Sequence, residues 1–185
     1  MLAYGAGNAQ AFDTLYARHK GGVYRYLLRH LRNGGAADEL FQDVWMSAIR
    51  VRASYAPTAK FTTWLYTLAH NRLVDHWRAT GQAKFASIDD EDGDARDAVD
   101  SLPGAANDEP EARTLSKELG TQLREALDAL PAEQRDAFLL QYEGGLSLAE
   151  IAELTGVGTE TVKSRLRYAT AKLRSALGPL REAWK

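Results

Sequence analysis

With 185 residues, 45% of them hydrophobic, the chain has material for one or two small helical cores but not for a single large one. There are no cysteines, which excludes disulfides, thiolate zinc sites and thiol nucleophiles together, and no stretch reaches the roughly 18 apolar residues needed to span a bilayer. The net charge of −2 conceals a segregation: residues 1–80 hold 10 basic and 5 acidic side chains, residues 81–113 hold 3 and 10, and residues 114–185 hold 10 of each.

In chain order, the start MLAYGAGNAQAF lacks a basic stretch followed by an apolar core, so a cytoplasmic chain with no membrane insertion is expected. Phe12, Leu15, Tyr16, His19, Val23 and Leu27 then recur at helical spacing, and Asn33, Gly34 and Gly35 are expected to end that helix. A second helix is predicted over Ala36–Arg50, with Leu40, Phe41, Val44, Trp45 and Ala48 facing inward and Asp38, Glu39, Gln42 and Asp43 forming an acidic outer face. After a loop containing Tyr55, Pro57 and Lys60 comes TTWLYTLAHNRLVDHWRAT, whose length and freedom from Gly and Pro predict a long helix with Leu65, Leu68, Ala69 and Leu73 inside. Thr67, Asn71 and Arg78 lie away from that arc.

Residues 81–113 are acidic, poor in large apolar groups and carry two prolines, the composition of a flexible tether that leaves its flanking domains uncoupled. Helical periodicity resumes with Leu115, Leu119, Leu123, Ala126, Leu127 and Leu130, and Pro131 opens a further helix that Gly144 and Gly145 end. The last third, LSLAEIAELTGVGTETVKSRLRYATAKL, reads as a helix-turn-helix. Ser147 and Glu150 have capping-box spacing, so its first helix is expected from Leu148, and Gly156 and Gly158 offer positions for positive φ in the turn. In the second helix, from Thr159 or Glu160, Val162, Leu166, Ala169 and Leu173 face inward, leaving Glu160, Lys163, Ser164 and Arg167 outward with Arg165 and Tyr168 on the flanks. Cations for phosphates and guanine edges and a hydroxyl for either suit a major groove. No strand-type alternation and no repeat appear, and the fold class read is all-α: two small helical domains, 1–80 and 114–185, joined by the acidic linker 81–113.

The succession DELFQDVWMSAIR, FTTWLYTLAHNRLVDHWR and, after the linker, LPAEQRDAFLLQYEGGLSLAEIAELTGVGTETVKSRL resembles the extracytoplasmic-function (ECF) sigma factors of bacterial RNA polymerase, from about Ala11 to Leu177. The resemblance implies a sigma region 2 bundle and a sigma region 4 helix-turn-helix. By it, Asp38, Glu39, Gln42 and Asp43 dock on the clamp helices of the polymerase's largest subunit, and the second domain meets the flap of the second largest. Tyr55, Lys60, Phe61 and Thr62 match the loop that holds a flipped base of the minus-10 element, with Asn71, Asp75 and Arg78 on the helix that follows; Thr159, Glu160, Thr161, Lys163, Ser164, Arg165, Arg167 and Tyr168 match the minus-35 reader. Gly158, Tyr168 and Thr170 depart from the family's usual residues. An anti-sigma factor is a further partner such a chain takes; no cofactor, no metal and no enzymatic activity are expected.

Two other readings compete. A stand-alone helix-turn-helix transcriptional regulator would need a ligand pocket or dimerisation helix in the first half, which instead offers aromatics, Asn and Arg along one helix. A metal enzyme would have to use His19, His30, His70 and His76, and the last two, six apart on a helix, diverge by about 120°.

Overall fold

The computed structural model describes residues 1–81 and 120–182, and among them every regular element is a helix. The acidic stretch read as a linker lies, from residue 82 on, outside the described residues, as do Leu115 and Leu119. A single turn, α1 (Leu2–Gly5), precedes α2 (Ala9–Leu31), α3 (Gly34–Arg50) and α4 (Phe61–Ala79). The second group comprises α5 (residues 120–128), α6 (Ala132–Tyr142), α7 (Leu148–Thr155) and α8 (Thr159–Glu182).

Each group contributes an apolar stripe to the buried core. Val23 and Leu27 of α2 meet Leu40, Val44 and Trp45 of α3 and Leu65, Ala69 and Leu73 of α4, all buried. In the second group Leu127, Leu140, Leu146, Ile151, Val162, Leu166, Ala169 and Leu173 do the same. Burying each of the Val, Leu and Ile side chains contributes about 1.5–3 kcal/mol, which is what holds helices of ordinary propensity in place.

The α2–α3 corner differs from the sequence expectation. Asn33 does not end α2; its side chain accepts the Ala36 N–H at 3.1 Å and so starts α3 at Gly34 rather than at Ala36. Arg32 takes the left-handed conformation (φ 54°) that closes α2, leaving two residues between the helices. The helix-turn-helix follows its signals closely: Ser147 and Glu150 form the reciprocal capping box, and Gly156 takes the turn at φ 69°. Gly158 is not among the positive-φ residues, so one glycine suffices for this turn.

The expected uncoupling of the two halves is not what the structure has. They pack against each other through α2 and α4 on one side and α6 and α7 on the other. The buried apolar residues of the two halves form one continuous cluster, and polar pairs are set into the joint. Arg25 donates to both carboxylate oxygens of Glu143, at 2.7 to 3.1 Å, and Arg32 donates to the Asp128 carbonyl at 2.9 Å. Composition of a connecting segment says nothing about whether the surfaces on either side of it are complementary.

Candidate nucleic-acid interface

The acidic face is set by α3. With Leu40, Val44 and Ala48 turned inward, Asp38, Glu39, Gln42 and Asp43 are exposed, and Met46 joins them as an exposed apolar group one turn beyond. Tyr24, half-buried against Phe41 with ring centroids 5.6 Å apart, hydrogen-bonds to Asp38; burial first and this carboxylate second raise its phenol above the ordinary value. Carboxylates and an amide around one apolar side chain make a surface suited to a basic protein partner, where such a rim steers association.

The second surface begins in the loop after α3. Tyr55 stands edge-on to Trp64 at 5.0 Å, and Phe61 lies 5.6 Å from Trp64 and 5.3 Å from His19, so the four rings make one half-buried aromatic wall. Such a wall can hold an unstacked base, with Lys60 exposed beside it for a phosphate. Trp64 thus serves both packing and exposed ring area, and Trp77 is half-buried edge-on to His30 at 5.7 Å. Thr62 is half-buried, while Asn71, Asp75 and Arg78 are exposed along α4, with Asp75 and Arg78 3.6 Å apart.

The third surface is α8. Thr159, Glu160, Thr161, Lys163, Arg167 and Tyr168 are exposed, and Ser164 and Arg165 half-buried. Lys163 pairs loosely with Glu160 at 3.8 Å, and the Arg167 guanidinium sits 5.0 Å over the Tyr168 ring, which preorganises its planar fork. Arg165 is held differently, donating to Glu133 of α6 at 2.6 Å.

The structure also assembles residues that sequence reasoning did not bring together. Tyr26 of α2 donates to Asp136 of α6 at 2.9 Å, which leaves its oxygen free to accept from His70 Nδ1 of α4 at 3.0 Å. His30 Nε2 approaches Asp136 at 3.2 Å, and the side chains of His30 and Asp136 are 0% and 4% exposed. Burial would raise the Asp136 carboxyl, but hydrogen bonds from His30 and His70 outweigh it and hold the group below the carboxylate range. Burial, the largest influence, lowers the His30 imidazole, with Asp136 acting in the opposite direction. Beside this cluster a cleft of about 420 Å³ is lined by Asn71 and Arg78 of α4 and by Glu133, Val157 and Arg165 from the other half. At the near end of α4, Thr63 donates to Glu150 at 2.6 Å; this bond first, and those from Ser147 next, hold the Glu150 carboxyl down to about 2. No group of His, Asp and Glu suited to a metal ion occurs among the described residues.

Comparison with known proteins follows the same division. The family described as Sigma-70 region 2 matches residues 15–82, and the family described as Sigma-70, region 4 matches residues 120–173. The RNA polymerase sigma factor CarQ of Myxococcus xanthus is 33% identical over 175 residues, covering 94% of this chain and 93% of its own. The ECF RNA polymerase sigma factor SigM of Mycobacterium tuberculosis is 32% identical over 180 residues, covering 97% and 84%. Among solved structures, the sigma factor RpoE of Bartonella quintana, in complex with the anti-sigma factor NepR, shares the fold with a TM-score of 0.66 at 20% identity, over 92% of this chain and 98% of that one. A stand-alone regulator is not favoured, because the first half matches sigma region 2 as well as the second half matches region 4. With both regions present in order and relatives above 30% identity along almost the whole chain, the protein belongs to the ECF sigma factors, which bind core RNA polymerase and direct it to promoters.

Proposed function

We propose that the three surfaces divide promoter recognition among them. The α3 face of Asp38, Glu39, Gln42 and Asp43 docks on the clamp helices of the polymerase's largest subunit, and the 114–185 domain meets the flap of the second largest. Within the 1–80 domain, Tyr55, Lys60, Phe61 and Thr62 capture a base of the minus-10 element from the displaced strand, while Asn71, Asp75 and Arg78 follow that strand along α4. Thr159, Glu160, Thr161, Lys163, Ser164, Arg165, Arg167 and Tyr168 of α8 read the minus-35 element in the major groove. The acidic segment 81–113 spans the two domains on the polymerase.

The observation that carries this reading is the half-buried wall of Tyr55, Phe61 and Trp64 beside an exposed Lys60, at the N-terminal end of the helix edged by Asn71 and Arg78. A flat apolar face, amide-type hydrogen bonding and a cation for the backbone are what an unpaired strand requires. Such a chain makes and breaks no bonds itself, since its contribution is placement and strand separation, and it works in the cytoplasm with the polymerase. No helix among the described residues is long and apolar enough to cross a membrane. The solved relative from Bartonella is bound by an anti-sigma factor, and a partner of that class is proposed here too.

Run-off transcription from a promoter library, with core polymerase in the presence and absence of this chain, tests the reading. Start sites that appear only with the chain, sharing sequence at both elements, are expected. Tight, sequence-specific duplex binding by the chain alone at physiological salt, with no new start sites, would return the protein to the stand-alone regulators.

A further inference from the structure

Helix α1 lies ahead of the segment that matches Sigma-70 region 2, and a single turn this short does not persist in water unless its surroundings hold it. Two kinds of contact do so. At its end Gly7 takes φ 98°, with the Gly7 N–H donating to the Tyr4 carbonyl and the Asn8 N–H to the Ala3 carbonyl, each at 3.0 Å, the Schellman closure that turns the chain back. Asn8 then caps α2, its side chain accepting the Ala11 N–H at 3.2 Å. The end of one helix and the start of the next share adjacent residues, so α1 stands at a fixed angle to α2. Its Tyr4 ring packs on Phe12 of α2 with centroids 5.1 Å apart, and Phe12 is edge-on to the buried Trp45 at 5.8 Å.

Against α1 rests the stretch of chain that leaves α3. The Arg52 guanidinium lies 5.7 Å over the Tyr4 ring, and the Arg52 carbonyl comes so near Gly5 that a Cβ there would lie 2.7 Å from its oxygen. Arg52 and Ser54 are otherwise tied to the end of α3, by bonds of 3.0 to 3.3 Å to the Ile49 and Val51 carbonyls. Three residues beyond Arg52 stands Tyr55, edge-on to Trp64 at 5.0 Å. Three residues span at most about 10 Å, which leaves little slack to absorb a displacement at Arg52. We propose that α1 is a positioning element for base capture: Tyr4 and Gly5 hold the Arg52 backbone, and with it the place at which Tyr55 presents its ring to Trp64 and to an extruded base. Stacking depends on the distance and plane of the rings, so a wall of this kind needs its first member fixed from behind. This rests on the assignment of the 55–62 loop to the captured base.

Substitutions in the full chain, assayed with core polymerase, separate positioning from folding. Gly5→Val drives a branched side chain at the Arg52 carbonyl, Tyr4→Ser takes the ring away from Arg52 and Phe12, and Tyr4→Phe keeps it. Gly5→Val and Tyr4→Ser should each slow opening of duplex promoters by about tenfold, since a misplacement on the order of 1 Å is enough to lose a positioned contact. Both should also flatten the preference for one base of the minus-10 element, read by run-off transcription from promoters that differ one base at a time. Affinity for core polymerase should stay within about twofold of wild type. Tyr4→Phe, and Leu2→Ser at a position 60% exposed, should match wild type throughout. Amide exchange over residues 51–58 of the free chain should quicken in Gly5→Val and Tyr4→Ser and not in Tyr4→Phe. Wild-type opening and base preference in Gly5→Val and Tyr4→Ser overturn the proposal. A loss that falls alike on every base and on polymerase affinity also overturns it, because α1 would then be a stabilising turn and no more. Replacing residues 55–60 with a Gly/Ser loop separates the two failures: normal opening by that variant removes base capture from the loop and this proposal with it, whereas normal opening by the α1 variants alone leaves the loop's role intact.

Discussion

Helices α3 and α4 share one core, yet their outer faces are treated in opposite ways. On α3 the acidic residues stand clear in solvent, whereas the edge of α4 proposed to follow the displaced strand meets a carboxylate at Thr63, a buried cluster at His70 and a cleft wall at Asn71 and Arg78. An exposed charged face can be found by a partner at any encounter. A covered one is available only in so far as the two halves part.

The contrast can be broken at several points, and the largest effect is expected on the covered side. Replacing residues 55–60 with a Gly/Ser loop of equal length should abolish opening of fully duplex promoters, read by permanganate reactivity of unpaired thymines. Polymerase association should remain near normal, and a template with a preformed bubble over the minus-10 element should recover part of the activity, the unpairing cost of a few kcal/mol having been removed. Normal duplex opening by this variant would move base capture elsewhere.

On the open side, Glu39→Arg combined with Asp43→Arg should lower affinity for core polymerase by at least about tenfold, since like charges then face the partner, while helicity by circular dichroism stays unchanged. Undiminished binding in a pull-down titration would remove α3 from the docking surface. For the minus-35 element, Arg167→Ala should cost about 1–3 kcal/mol and relax preference at one position if it reads a base, or weaken all sequences alike if it holds a phosphate. A change confined to the minus-10 preference would reverse the assignment of the two domains.

The smallest effect is a pH dependence of the buried cluster. His30 is lowered by burial, with Asp136 acting upward and Arg135 of α6 and His70 of α4 acting downward; Tyr26 faces it from its own helix at 4.8 Å. A base with a depressed native value binds fewer protons folded than unfolded, so stability is complete above the ordinary histidine value near 6.5 and is lost as pH falls below it. Thermal unfolding should therefore shift to lower temperature between pH 7.5 and 5.5, and less so in His30→Gln. A melting temperature that is flat or rises on acidification would overturn the burial-driven lowering of His30.

What could be read from the sequence was local. The capping box at Ser147 and Glu150, the turn at Gly156 and the apolar stripe of α8 are each fixed within a few residues, and all appear where periodicity and capping chemistry put them. The α3 outer face follows from the same arithmetic. The Tyr26–Asp136 bond joins residues 110 apart, and no spacing rule reaches across such a separation. One signal was available. Asp136 lies three and four residues before Leu139 and Leu140, and His70 four after Tyr66, so each polar group sits on a stripe that its own helix buries. A carboxylate at a core-facing position must find donors, and the search for them leads to another part of the chain. Glu150 was legible as half of a capping box but not as the acceptor for Thr63, because its second oxygen is free to serve a different partner.

Arg32 gives the corner between α2 and α3 a further meaning. A non-glycine residue in the left-handed region costs about 1 kcal/mol or more, and Gly would hold the same corner without that strain. The arginine is nevertheless the residue whose guanidinium reaches Asp128 across the joint, at 2.9 Å to its carbonyl and 3.4 Å to its carboxylate. The first half taken alone is therefore not at its own optimum. Local conformational strain is tolerated in one domain for a contact that exists only when the other is present, and the two halves cannot be optimised, by selection or by design, as independent modules.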